Sequence, residues 1–436
     1  MRLSEARGVL EDKSFRWFFT SRAVSTFGHM MTPLALAFGV LHIDNSAVAL
    51  SQVLAAYSIS QIIFLLVGGV VADRLPRTLV LQSSFLLTAV TQGAVALLLL
   101  TGTAQVWHLM VLEGLNGAVS AFSMPAMQGL IPQLVRRAHL QEANALLSSV
   151  RNGATILGPV LAGVLVATVG AGWALAVDAL GFVVASIALT RVSLPPSRSR
   201  DGSGSQSGAS MLRELREGWG EFTSRTWLWV IVAAFGFTNA IHAGAWGVLG
   251  PVIAKNNASL GISGWGFVMS AEAVGMFAMA FVLMRLHLRR PLLFGMIGVS
   301  LALIPLTMLG VHPVTLVMVP AAFLSGLGME TFGTGWNVAM MEQVPQEALS
   351  RVSSYDMLGS FVAIPVGTLF FGWVVTRASP ETVLVTAGVA YAVVSLGTLL
   401  VPSVRNLRRL DDQAVERDSA MGESAGDEAA LDDPDL

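Results

Sequence analysis

The 436-residue chain contains no cysteine, so it has no disulfide framework, no thiol nucleophile and no thiolate metal site. Charge is nearly as scarce. Only 12% of residues are Asp, Glu, Lys or Arg, against about 25% in an ordinary soluble domain. Hydrophobic residues make up 54% of the chain, and mean hydropathy is +0.67. A water-soluble fold could not cover itself with so few charges without exposing large apolar patches. A pI near 6.4 offers no basic footprint for nucleic acid. No phosphate-cradling glycine loop with a lysine occurs, so no nucleotide or other cofactor is expected.

What is present is long apolar runs. Thirty-five residues between Arg77 and Glu113 carry no charge, and neither do the 39 residues 291–329. A helical span needs about 20 apolar residues to cross the bilayer core, so each run holds two spans. The same window predicts twelve helices, at 17–41, 47–71, 78–100, 106–131, 146–169, 172–190, 226–254, 264–287, 291–310, 313–340, 354–376 and 381–401. Strands are excluded because a segment in lipid must satisfy its own backbone hydrogen bonds. Ala35-Leu36-Ala37 has the look of a signal cleavage site, but the apolar run continues past it, and the first helix is expected to be retained. The expected fold class is therefore an all-α, multi-pass membrane protein in contact with the lipid bilayer.

The net charge of −2 hides a sorting of charges. Residues 411–436 hold 10 acidic side chains and one basic, leaving 25 basic against 18 acidic, or +7, on the rest. With an even number of spans, twenty-two basic side chains fall on the side of the termini and only Lys255 and Arg377 on the other. The positive-inside rule then places both termini in the cytosol. Trp17, Trp107, Trp173, Trp227, Trp265 and Trp373 fall near span ends, where an interfacial belt belongs.

The longest polar interruption, 193–225, is predicted as a cytoplasmic linker whose stretch Met211 to Trp219 forms an amphipathic surface helix. It divides the chain into a six-helix half at 1–192 and a second at 226–402, with an acidic tail at 403–436 expected to be disordered. The halves repeat. Arg77 and Arg290 each close the second span of a half, and Pro132-Gln133 matches Pro345-Gln346, both at an offset of 213 residues. Parallel repeats of six spans are the architecture of a large transporter class with its site at the midplane.

Between the second and third spans stand Gly69, Asp73, Arg74 and Arg77, with Pro76 ending the helix. A carboxylate there can dock on a neighbouring helix N-terminus and act as a gate, or be incidental to a basic loop. The fifth span carries Gly158, Pro159 and Gly163, a combination that kinks a helix and lets a neighbour approach closely. On these residues the chain resembles the major facilitator superfamily. It matches the Gly-x-x-x-Asp-Arg-x-Gly-Arg-Arg signature at four positions, departs from it at Pro76 and Thr78, and is similar to the Gly-Pro-x-x-Gly-Gly of exporters except at Ala162. Met124 to Val135, Glu142 to Leu146 and Leu349 to Ser360 resemble the enterobactin-exporter and macrolide-efflux branch. The resemblance implies two pseudo-symmetric six-helix bundles and alternating-access efflux of a hydrophobic or amphipathic small molecule, coupled to protons. It also implies a monomer in a bacterial cytoplasmic membrane. An importer or lipid flippase of the same fold is the nearest alternative, and a membrane receptor or enzyme a more distant one. No Asp pair, His-Glu-x-x-His helix or Gly-x-Ser-x-Gly elbow supports an enzyme.

A charge at the centre of a span is unfavourable by about 2.5–3.5 kcal/mol on insertion scales, so each one asks for a reason. Glu113, Glu272 and Glu330 are the candidate proton-exchanging carboxylates. Asn116, with Gly117 and Ser120, shares the face of Glu113 as if lining a water-filled cavity. Arg22 and Arg151 are expected to pair with these carboxylates or to snorkel to the interface. Asp178 is expected to have a structural hydrogen-bonding role. His29, Asn239, His242 and Asn337 complete the candidate proton and substrate site. Met30, Met31, Phe235, Phe237, Trp246, Met269, Met276 and Trp336 are eligible to line an apolar cavity, or simply to pack.

Overall fold

The computed structural model describes residues 11–135, 139–193, 216 and 218–410, with the side chains of 66–74, 125, 128, 129, 132, 347 and 350 also outside the description. Among the described residues there is no strand. Helix α1 spans Lys13–Ile43 and is capped by Asp12, which accepts from the backbone N–H groups of Ser14 and Phe15 at 2.8 and 3.0 Å. It is followed by α2 (Ala47–Arg74), α3 (Arg77–Leu100), α4 (Val106–Leu134), α5 (Leu140–Val169) and α6 (Ala171–Leu189). The later helices are α7 (Thr226–Asn256), α8 (Gly261–Leu283), α9 (Pro291–Val311), α10 (Thr315–Gln343), α11 (Gln346–Phe361, continuing as Ala363–Val374) and α12 (Pro380–Leu400). By length and composition, 11 candidate membrane spans lie among the described residues. The expected count of twelve is not reached by that measure. The segment expected as the fourth span is the 29-residue helix α4, part of whose side chains lie outside the description.

Three of the later helices are interrupted, and each interruption sits one turn before a proline. The middle of α7, His242–Leu249, is π-helical and precedes Pro251. Helix α9 breaks between Ser300 and Leu303, ahead of Pro305. Helix α11 breaks at Val362, ahead of Pro365. Proline at position i cannot donate to the carbonyl of i−4, and its ring crowds that carbonyl, so the ladder loses a rung there. Helices α1 and α5 carry Pro33 and Pro159 without a break.

Helix α1 packs on α5 and α6, α2 on α4, and α3 on α4 and α6; among the later helices α8 packs on α10, α9 on α10 and α12, and α7 on α11. Lipid tails are as apolar as leucine, so such packing depends on close approach rather than on escape from water. At the α2–α4 crossing a Cβ on Gly117 would run into the Tyr57 carbonyl. The expected tryptophan belt is only partly present. Trp17, Trp107, Trp173 and Trp373 are exposed, but Trp227 and Trp265 are buried, against Trp336 at 5.7 Å and Trp246 at 4.7 Å between ring centroids. Interior packing claimed these two because small neighbours leave room. Gly250, for instance, lies flat against the Trp265 ring.

Of the expected surface helix at Met211 to Trp219, residues 211–215 and 217 lie outside the description, while 218–224 are helical. Trp219 stacks on Phe222 at 5.7 Å and meets Tyr355 of α11 edge-on at 5.4 Å. This helix is docked on protein as well as facing outward. Gly117→Ala is expected to lower the melting temperature of the purified protein by several degrees. Gly153→Ala, whose new Cβ meets nothing within 4 Å, is expected to leave it unchanged or raise it slightly, and a thermal unfolding series reads both.

Candidate functional site

The two ends of the bundle differ. At the end holding loops 44–46, 170 and 257–260, the earlier helices touch the later ones. Asn45 donates to Asn256 at 2.8 Å, the Lys255 ammonium donates to the Leu41 carbonyl, and the Ser263 hydroxyl reaches the Gly163 carbonyl at 3.5 Å. Gly372 of α11 lies against Ser51 of α2. Among the described residues, the side-chain hydrogen bonds that join α1–α6 to α7–α12 all lie at this sealed end.

The seal is built on the glycine–proline segment of α5. Gly158 lies against Met30 of α1, where a Cβ would fall 2.7 Å from that side chain. Gly163 faces Gly266 of α8 with only 3.3 Å between an added Cβ and the Gly266 Cα. A Cβ on Gly266 would lie 2.5 Å from the Pro159 carbonyl oxygen. Two backbones can approach this closely only where neither carries a side chain.

Toward the end that carries the basic residues, the same helices part around a cavity with two lobes that share Arg151. One, of about 220 Å³, lies among α1–α6 and is bordered by Arg22, His29, Tyr57, Asn116, Ser120 and Arg151, with Met30, Met124, Met127, Phe85 and Phe182 as apolar wall. The other, of about 440 Å³, runs between α5 and α8 and reaches Glu330 of α10, with Met276 and Phe277 on its wall. Of the sequence-expected candidates, Arg22, His29 and Asn116 thus border the first lobe and Glu330 the second, with Arg151 common to both. Glu330 accepts from Thr334 in its own helix at 3.1 Å.

The other candidates sit elsewhere. Glu113 does not line the cavity. It is 2% exposed and accepts from Gln92 at 3.1 Å and from Asn116 at 3.4 Å, so Asn116 stands between it and the open space. Glu272 is bonded to Ser325 of α10 at 3.4 Å. The expected pairing of Arg22 and Arg151 with Glu113 or Glu272 is not found, because both carboxylates are held by neutral donors on neighbouring helices. Asn239 donates to the Ser360 carbonyl at 3.1 Å. His242 opens the π-helical turn with its ring 6.3 Å from that of Trp246. Asn337 is exposed, whereas the adjacent Trp336 donates to Asp356 at 3.1 Å. Asp178 is buried and accepts from Thr32 at 2.7 Å. The side chains of Asp73 and Arg74, with Gly69 beside them, lie outside the described residues, and Arg77 has a partner.

Of the apolar candidates, Met30 and Met276 reach the cavity. Phe235 instead stacks on Phe332 at 4.1 Å, Met31 and Trp246 are buried, and Phe237 is exposed beside a separate apolar groove. Sequence reasoning missed Tyr57 as a lining residue. Its scarcity was the available signal, since the chain has only 3 tyrosines and this one falls in mid-span.

Long apolar helices around a central cavity open at one end define a polytopic membrane transporter. The chain belongs to the Major Facilitator Superfamily, whose family model matches residues 18–355 and 236–421. It is 23% identical to the multidrug efflux pump Tap of Mycolicibacterium fortuitum, over 87% of this chain and 93% of that one. It is 21% identical to macrolide efflux protein A of Streptococcus pyogenes, over 91% and 97%. With the MFS-type transporter YfiS of Bacillus subtilis it shares 26% identity over 180 residues, which span only 42% of that protein. In solved structures its fold is similar to that of the nucleoside transporter NupG, at a TM-score of 0.67 and 12% identity, covering 88% of this chain and 98% of that one.

The glycine seal makes a specific demand. Gly266→Val is expected to prise α5 from α8 and raise the labelling rate of a cysteine introduced at Ser263 several-fold. The measurement is reaction with a membrane-impermeant maleimide, and the absence of native cysteine leaves no background.

Proposed function

We propose that the chain exports an amphipathic small molecule across the cytoplasmic membrane by alternating access, coupled to proton entry. The observation that carries this reading is the pair of lobes that meet at Arg151, with Arg22, His29 and Asn116 on one and Glu330 on the other, lying between helices that are sealed together at the end opposite the basic residues. The positive-inside rule assigns the basic end to the cytosol, with both termini. Tap and macrolide efflux protein A are named for efflux, which favours export over uptake.

In this reading the halves 1–192 and 226–402 rock about the cavity as a monomer, joined by the linker 193–225 and followed by the tail 403–436. Gly69, Asp73, Arg74 and Arg77 gate the cytosolic side, and Gly158, Pro159 and Gly163 seal the other. Glu330 meets the cavity directly and exchanges the coupling proton, with Glu113 and Glu272 as internal carboxyls behind it. Asn239, His242 and Asn337 line the path only in another state of the cycle.

Dye efflux from inverted vesicles under an imposed proton gradient tests the coupling. Glu330→Gln is expected to lose most gradient-driven transport, and Glu113→Gln and Glu272→Gln to lose part of it. Normal pH-coupled transport in all three variants sinks the carboxylate assignment. Alternation is tested separately with the double variant Asn45→Cys and Asn256→Cys. An oxidant should lock the seal and stop transport, and reductant should restore it; undiminished transport in the cross-linked protein rules out opening at that end.

A further inference from the structure

The cavity has an imbalance of charge that the export reading leaves unexplained. Arg22 of α1 and Arg151 of α5 border the same lobe, and Arg22 lies within electrostatic reach of Arg151. Among the described residues, neither guanidinium makes a hydrogen bond or ion pair to a carboxylate. Among the described residues Glu330 is the one acidic side chain on the walls of the two lobes, and its hydrogen bond is to Thr334 of its own helix. Glu113 and Asp178 are turned into the bundle, bonded to Gln92, Asn116 and Thr32.

Arg22 is half-buried and partly stripped of its hydration, whereas Arg151 is exposed to the cavity, and the two like charges repel each other. Glu330 lies within electrostatic reach of Arg151, so one carboxylate faces two guanidiniums, and Arg22 is left without a counter-charge of its own, which is unfavourable for a half-buried group. Helix packing does not ask for them, since among the described residues neither bonds to a neighbouring backbone. A bound anion removes both penalties together. The guanidinium fork matches the two oxygens of a carboxylate, or those of a sulfonate or phosphate, in bidentate fashion. Around the pair, Met30, Met127 and Phe182 on one side and Met276 and Phe277 on the other form an adaptable apolar wall.

We propose that the transported molecule is an organic anion, with an acidic group held between Arg22 and Arg151 and an apolar body lying along the methionine and phenylalanine wall toward α8. This rests on the export reading for its direction, but the binding site itself does not. Efflux substrates carrying a net positive charge, without an acidic group, are disfavoured by the same pair.

Three probes with one apolar body test the charge alone: naphthylacetate, naphthylacetamide and naphthylethylammonium. Their affinities are measured by thermal shift and ligand-observed titration on the full-length protein in nanodiscs of phosphatidylcholine. The anion is expected to bind about tenfold tighter than the amide, and the cation more weakly than either. Arg22→Gln and Arg151→Gln should each erase the anion's advantage while leaving amide binding within about twofold. Arg22→Lys, which keeps the charge without the fork, should retain part of the advantage, and it guards against a Gln variant that fails to fold. Binding of the cation as tight as that of the anion overturns the inference. So does selectivity that survives in the double Gln variant, or failure of the anion to bind. If phosphatidylglycerol added to the nanodisc abolishes the anion's advantage, a lipid headgroup occupies the pair and the inference is likewise overturned. Anion-selective binding without proton-driven efflux leaves this site standing and sinks the export reading. Proton-driven efflux that prefers the cation does the reverse.

Discussion

The crossing of α5 and α8, where the Pro159 carbonyl faces the bare Cα of Gly266, governs the shape of the molecule on both sides of the membrane. Two straight helices that touch at one end must separate toward the other. Because no side chain stands between these two, they touch closely, and the divergence opens the lobe that reaches Glu330. Asn45–Asn256 and Lys255–Leu41 add polar contacts at the same end, but these are loop and helix-end bonds reachable by water. The backbone contact is the part that lipid cannot replace, since in an apolar solvent only close packing and internal hydrogen bonds hold helices together.

The same scarcity of polar groups explains how the buried charges are managed. Glu113 is bonded locally by the amides of Gln92 and Asn116, and one oxygen of Asp178 by the Thr32 hydroxyl, which keeps both out of the open space. Arg22 and Arg151 are not satisfied in this way and face the cavity. Glu113 and Asp178 therefore lie inside the helix packing while the guanidiniums face the wall, where Glu330 is the carboxylate beside them among the described residues. Pairing them directly would have filled the cavity with a salt bridge and left nothing for a ligand to meet.

Much of the fold was legible in the sequence, because charge-free runs of fixed length have one solution in lipid. The ends of α3, α6, α9 and α12 fall within a few residues of the hydropathy windows. The exporter-like motif of α5 could also be read, since Gly158 and Gly163 have no use in a helix other than close approach. The site was only partly legible. Arg22, His29 and Asn116 border one lobe and Glu330 the other. Glu113 is expected at the cavity by its depth and by the polar face it shares with Asn116 and Ser120, and Glu272 by depth, but neither depth nor a shared stripe says which way a side chain finally turns around the helix axis. That direction is set by partners such as Gln92 and Ser325, which come from other helices at no regular spacing. Trp227 and Trp265 misled for a related reason. Position near a span end predicts an interfacial ring only where no glycine across the bundle has left space for it.

The three helices that are interrupted ahead of a proline, α7, α9 and α11, all belong to the later part of the chain, whereas α1, α5 and α10 pass Pro33, Pro159 and Pro320 unbroken. A helix missing a backbone hydrogen bond bends more easily at that point than elsewhere along its length. Compliance is therefore concentrated at these three breaks. The lobe bordered by Arg22 and Arg151 lies wholly among the first six helices, and the wall facing it belongs to α8 and α10, which run unbroken. The bendable points therefore lie outside the helices that border either lobe, and a solute seated there meets unbroken helices on both sides.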